Sequence, residues 1–213
     1  HARVDLPVDS SRVESCCRKP TEVVPSRLIL EIGTFLLAAA ITRSKLRVAP
    51  VIPEHLTAVL QKLRDCGCKL EIDHEGITIT PGEIRGIDIT TQPFPGFPTD
   101  LQAPFMALLA TAQGTSVITE KIYENRMQHV AELQRMGASI RVQSNTAVVE
   151  GVSALSGAPV NGTDLRASAA MVLAALVAQG KSHVSGLDHL DRGYADIEAK
   201  LGRAGAKLTR RTP

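Results

Sequence analysis

Apolar positions along this chain follow two spacings in turn, and the succession repeats. Three alanine- and leucine-rich runs follow the stretches Gly33-Thr34-Phe35-Leu36, Pro98-Thr99-Asp100-Leu101 and Gly162-Thr163-Asp164-Leu165. Each predicts a helix that is apolar all round, and such a helix belongs inside a core. After the first stretch, the pattern predicts a helix over 35–41, a strand over 45–49 and an amphipathic helix over 54–65. Leu56, Val59, Leu60 and Leu63 fall on one face of that second helix, and strands over 69–72 and 76–80 follow it. The second unit gives 101–112, 115–119, 125–136, 139–142 and 147–150, and the third gives 165–179, 181–185, 194–204 and 206–209. The order βαβαββ is thus written twice in full and broken off in the third copy. Residues 1–26 are polar and interrupted by Ser10-Ser11, Cys16-Cys17 and Pro20. They read as a linker, a weak strand, or the remnant of a strand pair whose other members lie outside the chain.

The register of the copies supports one repeated unit. Leu63-Arg64-Asp65-Cys66-Gly67, Leu133-Gln134-Arg135-Met136-Gly137 and Leu201-Gly202-Arg203-Ala204-Gly205 are the same helix ending. Their glycines are expected in the left-handed conformation, and Thr34, Thr99 and Thr163 are expected as helix caps. A repeat of this length builds one shared core. The expected fold is therefore α/β (α+β), one domain over 27–213 with repeats at about 33–82, 98–151 and 162–211, arranged about a pseudo-threefold axis with the alanine-rich helices inside.

Composition narrows the function classes. The 213 residues carry a formal net charge of +2, with 3% aromatic residues and no Trp, which argues against a base-stacking nucleic-acid surface. Basic residues are scattered, so no block of like charge suggests a nucleic-acid or membrane partner. No apolar run reaches the roughly 20 residues needed to span a bilayer, and there is no signal-peptide core, so the expected location is cytoplasmic. Cys16, Cys17, Cys66 and Cys68 fit neither a disulfide framework nor a common zinc spacing and are expected as reduced thiols. Asn161-Gly162-Thr163 matches a glycosylation pattern by chance.

The copies also act as controls on one another. Asp100 and Asp164 follow their threonines where the first copy has Phe35, so the unit itself does not require a carboxylate there. Arg166 stands two residues after Asp164, beside a helix expected to be buried, and a buried arginine usually has an anionic partner. At the starts of the second helices stand Glu54, Glu124 with Arg126, and Asp191 with Arg192. Guanidinium groups projected from helix starts suit phosphate or carboxylate. The plainer alternatives are helix-dipole partners for the aspartates and surface ion pairs such as Arg126 with Glu124 or Arg192 with Asp191. His129 and His189 are isolated and read as packed or solvated. A carboxylate beside several arginines, with no metal cluster and no Gly-rich phosphate loop, suggests an anionic substrate with an aspartate as base.

These residues resemble those of the enolpyruvyl transferases over about residues 24–211. The matching stretches include Gly33-Thr34-Phe35-Leu36-Leu37-Ala38-Ala39-Ala40-Ile41, Phe97-Pro98-Thr99-Asp100-Leu101-Gln102-Ala103 and Glu124-Asn125-Arg126 with His129. They continue with Arg135-Met136-Gly137-Ala138, Thr163-Asp164-Leu165-Arg166-Ala167-Ser168-Ala169 and Asp191-Arg192-Gly193-Tyr194. The resemblance implies one of two inside-out α/β barrel domains, each of three βαβαββ units, with substrates closed into the cleft between them. It further implies transfer of the enolpyruvyl group of phosphoenolpyruvate to the 3-hydroxyl of UDP-N-acetylglucosamine, the first committed step of peptidoglycan synthesis, without metal or organic cofactor. Asp100 is then the base at the sugar hydroxyl, and Ile122 and Tyr123 line the uridine-sugar pocket. Arg126, Asp164, Arg166 and Arg192 surround phosphoenolpyruvate, Asp164 sharing in proton transfer or in steadying the intermediate, and Leu165 is a further substrate-binding residue. The family's other domain carries a mobile loop with a reactive cysteine that no cysteine of this chain matches, so the chain is expected to be incomplete and inactive alone. The alternatives are the shikimate-pathway branch of the family and a non-catalytic nucleotide-sugar-binding or interaction domain.

Overall fold

The computed structural model describes residues 3–8, 21–23 and 29–211. Cys16, Cys17 and the boundary expected at residues 26–27 lie outside them. Twelve strands among these residues form three four-stranded sheets that share one strand order. In the first sheet, β2 (Thr21–Val23) runs parallel to β3 (Leu46–Val48), which pairs antiparallel with β5 (Ile77–Pro81), and β5 pairs with β4 (Cys68–Ile72). In the second, β6 (Ile89–Thr90), β7 (Thr115–Thr119), β9 (Thr146–Glu150) and β8 (Ser139–Gln143) repeat that order and those directions. In the third, β10 (Pro159–Asn161) lies parallel to β11 (Gly180–Ser185), and the next place belongs to β1 (Arg3–Val8), which pairs with β12 (Thr209–Arg211). The third unit, broken off at the end of the sequence, is therefore completed from the beginning of the chain. Of the readings open for residues 1–26, a strand holds for Arg3–Val8 and Thr21–Val23.

The three alanine-rich helices are α1 (Ile29–Ile41), α3 (Gln102–Leu109) and α5 (Leu165–Ala175). They pack against one another, and nearly every residue along them is buried. The amphipathic helices α2 (Thr57–Asp65), α4 (His129–Arg135) and α7 (Ile197–Arg203) cover the units from outside, and the short α6 (Leu187–Leu190) follows β11. Among the described residues no helix is long and apolar enough to cross a membrane. Cys66 and Cys68 are free and buried. The helix-ending glycines adopt the expected left-handed backbone, with φ of 106° at Gly67, 89° at Gly137 and 99° at Gly205.

Several boundaries differ from the sequence pattern for identifiable reasons. The helix expected from residue 35 begins at Ile29. Its first turns can be buried because Glu31 meets Lys200 Nζ at 2.5 Å and Thr34 shares a 2.8 Å hydrogen bond with Tyr194. The helix expected from 125 begins at His129, since Asn125 is left-handed at φ 57°. Likewise α7 begins only after Asp196, at φ 50°. The threonines are not the caps expected of them. Thr34 lies inside α1, Thr99 opens a 3₁₀ turn, Thr99–Leu101, and bonds elsewhere, and the cap of α5 is Asp164.

Candidate functional site

Asp100 is delivered by the turn that precedes α3, after a loop containing the cis peptide Phe94-Pro95. Its side chain is 56% exposed, and its Oδ1 accepts from Arg126 Nη1 at 3.4 Å and from Arg166 Nη1 at 3.3 Å. Those arginines belong to different units, one to the loop ahead of α4 and the other to the first turn of α5. Asp100 is thus bracketed by guanidiniums whose remaining N–H groups stay available to an anion.

Asp164 is built into the end of α5. Its Oδ1 accepts from Arg166 N at 2.8 Å and Ala167 N at 3.1 Å, and also from Arg166 Nε at 3.2 Å. Burial pushes this carboxyl up, but the Ala167 N–H, the Arg166 guanidinium and the Arg166 N–H outweigh it and hold it below its ordinary range. Burial alone lowers the Arg166 guanidinium, whereas Asp164 and Asp100 reverse this and raise it. Arg166 stays fully charged, fixed by one carboxylate and facing the other. The anionic partner expected for it is doubly present.

Around this centre, Tyr123 is exposed and its ring lies under Arg126, whose Cζ is 3.9 Å from the ring centroid. Arg126 also donates to Thr99 Oγ1 at 3.0 Å. The surface pairings considered for Arg126 and Arg192 do not form: Arg126 bonds Asp100, and Asp191 accepts from Arg210 at 2.6 Å. Ile122 is half-buried beside Tyr123. Leu165 packs on Gly193, where an added Cβ would lie 2.8 Å from Leu165 Cδ2, so the Arg192-Gly193-Tyr194 segment sits against the start of α5. Arg192 itself is exposed and makes no ion pair among the described residues. A cavity of about 670 Å³, lined by Glu120, Tyr123, Asn125, Arg126, Val142 and Asn145, opens beside these groups.

Two buried residues near the centre escaped the sequence reading or were passed over. His129 begins α4; burial drives its pKa down to about 4, opposed by the charge of Asp164 and reinforced by that of Arg166. Its Nε2 has no hydrogen-bond partner. Glu120 is 2% exposed and gave no signal in a search of helix starts, because it stands at a strand exit.

Comparison with known proteins places this geometry in context. A family model described as EPSP synthase (3-phosphoshikimate 1-carboxyvinyltransferase) matches residues 23–201. A UDP-N-acetylglucosamine 1-carboxyvinyltransferase of Prochlorococcus marinus (strain MIT 9313) is 73% identical over 191 residues, which are 90% of this chain and 44% of the relative. One from Parasynechococcus marenigrum (strain WH8102) is 75% identical over 188 residues, 88% of this chain and 43% of the relative. The chain spans less than half the length of these curated relatives. Among solved structures, the enolpyruvyl transferase NikO from Streptomyces tendae superposes with a TM-score of 0.78 at 26% identity, over 87% of this chain and 44% of that one. An EPSP synthase from Acinetobacter baumannii, at 18% identity and a TM-score of 0.68 over 91% of this chain and 48% of that one, shares the fold.

Proposed function

The chain belongs to the EPSP synthase family of enolpyruvyl transferases, and from that premise we propose that it supplies one half of the active site of a UDP-N-acetylglucosamine enolpyruvyl transferase. One observation carries the proposal: Asp100 lies between Arg126 and Arg166, drawn from two different units onto a single carboxylate oxygen. Both contacts fall on Oδ1, and Oδ2 is left for a substrate hydroxyl. The three sheets form an inside-out barrel about a pseudo-threefold axis, and the Asp100 end faces a second domain of the kind that fills the rest of the relatives' length.

In this reading the sugar 3-hydroxyl passes its proton to Asp100 as its oxygen bonds to C2 of phosphoenolpyruvate, while the C3 methylene takes up a proton from solvent and becomes a methyl. The product of addition is a tetrahedral phospho-ketal, from which phosphate leaves C2 with its bonding pair while the C3 methyl loses a proton, forming the enol ether of the product. Arg126 and Arg166 hold the phosphate and carboxylate through charge-assisted hydrogen bonds, with Arg192 joining from its exposed loop. Asp164 keeps Arg166 in place and, as an ionised carboxylate, receives the proton that the C3 methyl loses in the elimination. Tyr123 and Ile122 form the wall for the uridine-sugar. The same reading places the protein in the cytoplasm, in peptidoglycan synthesis, and so in cell-wall biogenesis, cell shape and cell division.

A half-site orients only part of the reacting pair, so the chain alone is expected to turn over neither substrate. Phosphate release from phosphoenolpyruvate, measured with UDP-N-acetylglucosamine present, should appear when the separately produced remainder of a relative is added, and Asp100→Ala should abolish it. Clear turnover by the chain alone would refute the half-site reading.

A further inference from the structure

At the exit of the second strand of each sheet the three units diverge. The last paired residues are Val48, Thr119 and Ser185, and the residues after them are Ala49, Glu120 and Gly186. Ala49 and Gly186 carry no polar side chain at this place, so the fold does not need a carboxylate there. The second unit nevertheless buries one, and surrounds it with donors. Glu120 Oε1 accepts from Thr91 Oγ1 at 2.7 Å, Ile122 N at 2.9 Å and Tyr123 N at 3.2 Å, and Oε2 accepts from Thr99 Oγ1 at 2.8 Å.

The directions of these bonds are forced. An ionised carboxylate only accepts, so Thr99 must spend its single hydroxyl proton on Glu120 and present a lone pair to its other neighbour. That neighbour is Arg126 Nη1, 3.0 Å away, which also reaches Asp100 Oδ1. Burial raises the Glu120 carboxyl, but the Thr91 hydroxyl, the Ile122 N–H, the Thr99 hydroxyl and the Tyr123 N–H together hold it below its ordinary range, so it remains the acceptor this arrangement needs.

We propose that Glu120 is the positioning residue of this site: through Thr99 it locks Arg126 against Asp100, and through the Ile122 and Tyr123 N–H groups it fixes the loop that carries Ile122, Tyr123 and Arg126. Both Glu120 carboxylate oxygens are taken by these hydrogen bonds, so it acts through Thr99 and the loop rather than on a reacting atom. The proposal rests on the reading of Asp100 and Arg126 as substrate-facing groups, and deepens it by naming what holds them in register.

Glu120→Gln places an amide NH₂ against donors, and Thr99→Val removes the link while leaving the carboxylate intact; Thr99→Ser keeps the hydroxyl. Nitrogen-15 spectra of the arginine side chains in the full chain report the result. In the unaltered protein and in Thr99→Ser, Arg126 is expected to show resolved, slowly exchanging Nη protons. In Glu120→Gln and Thr99→Val these should average out while those of Arg166 persist. Calorimetric titration with UDP-N-acetylglucosamine should then show binding weakened about tenfold or more in the two disrupting variants, the scale of one charge-assisted hydrogen bond, and retained in Thr99→Ser. Arg126 signals unchanged in both Glu120→Gln and Thr99→Val would overturn the proposal, whatever the titration gives. If the unaltered chain does not bind the nucleotide sugar but loses Arg126 order in Glu120→Gln, the functional reading fails and the positioning role stands.

Discussion

Replacing Lys200 by Met isolates the contact that joins the first and third units. Glu31 is fully buried in α1, and its Oε1 lies 2.5 Å from Lys200 Nζ on α7, with Lys200 8% exposed. Methionine keeps most of the aliphatic stem and its packing, so the perturbation is the loss of one charge. A carboxylate stranded in the interior by removal of its partner destabilises by about 3–5 kcal/mol. Glu31 has a further partner besides Lys200, which places the expected loss near the lower end, about 3 kcal/mol. For a chain of this length that corresponds to a melting temperature lower by about 6–12 °C. Urea denaturation suits the measurement, because urea leaves ion pairs unscreened. The double variant Glu31→Gln/Lys200→Met removes both charges and should recover about 2 kcal/mol of that loss. A single variant within about 0.5 kcal/mol of the unaltered protein, or a double variant no better than the single, would refute the reasoning.

Two further outcomes follow from buried groups and backbone geometry. The folded pKa of His129 is about 4 against an ordinary 6.5, so between those values the unfolded chain binds a proton that the folded chain refuses. Stability should be unaffected above pH 6.5 and fall by about 3 kcal/mol as pH drops from 6.5 to 4. His129→Leu should flatten the profile in that window, while Asp164 and Glu120 act only at its lower edge and below. Gly67→Ala should destabilise more than Gly137→Ala, although both residues are left-handed. A Cβ at Gly67 would lie 2.2 Å from the backbone oxygen of Glu83, whereas at Gly137 the nearest atom is Ser156 Oγ at 4.0 Å. The left-handed backbone costs each about 1 kcal/mol, and Gly67→Ala should lose measurably more in the same urea titration.

The recurring strand order and helix endings were legible because they are written in local chemistry. Gly67, Gly137 and Gly205 end equivalent helices in the left-handed conformation, and the runs around Ala38, Ala107 and Ala170 are apolar on every side because they pack on one another. Asp100, Asp164 and Arg166 stood out by comparing copies, since a charge that one unit has and another lacks is not demanded by the fold. What stayed hidden depends on contacts distant in sequence. Thr34, Thr99 and Thr163 occupy matching positions but meet different surroundings, so equal spacing suggested a common cap where Thr34 instead bonds Tyr194 and Thr99 bonds Glu120. The early start of α1 depends on a lysine 169 residues away. Arg3–Val8 does alternate Val4, Leu6 and Val8 with Arg3, Asp5 and Pro7, the period of a strand, but its place between β11 and β12 is set by pairing with strands at the far end of the sequence. Glu120 could have been found by extending the copy comparison to strand exits, where its counterparts are Ala49 and Gly186.

The most direct test of the central claim puts this chain's half-site into a complete enzyme. Residues 24–211 would replace the matching stretch of the Prochlorococcus marinus relative, and phosphate release dependent on UDP-N-acetylglucosamine would be measured. The chimera should turn over phosphoenolpyruvate, and Asp100→Ala within it should reduce the rate by about 10²–10⁴-fold, the contribution of a positioned base. A folded chimera without turnover, or one indifferent to Asp100→Ala, would contradict the account.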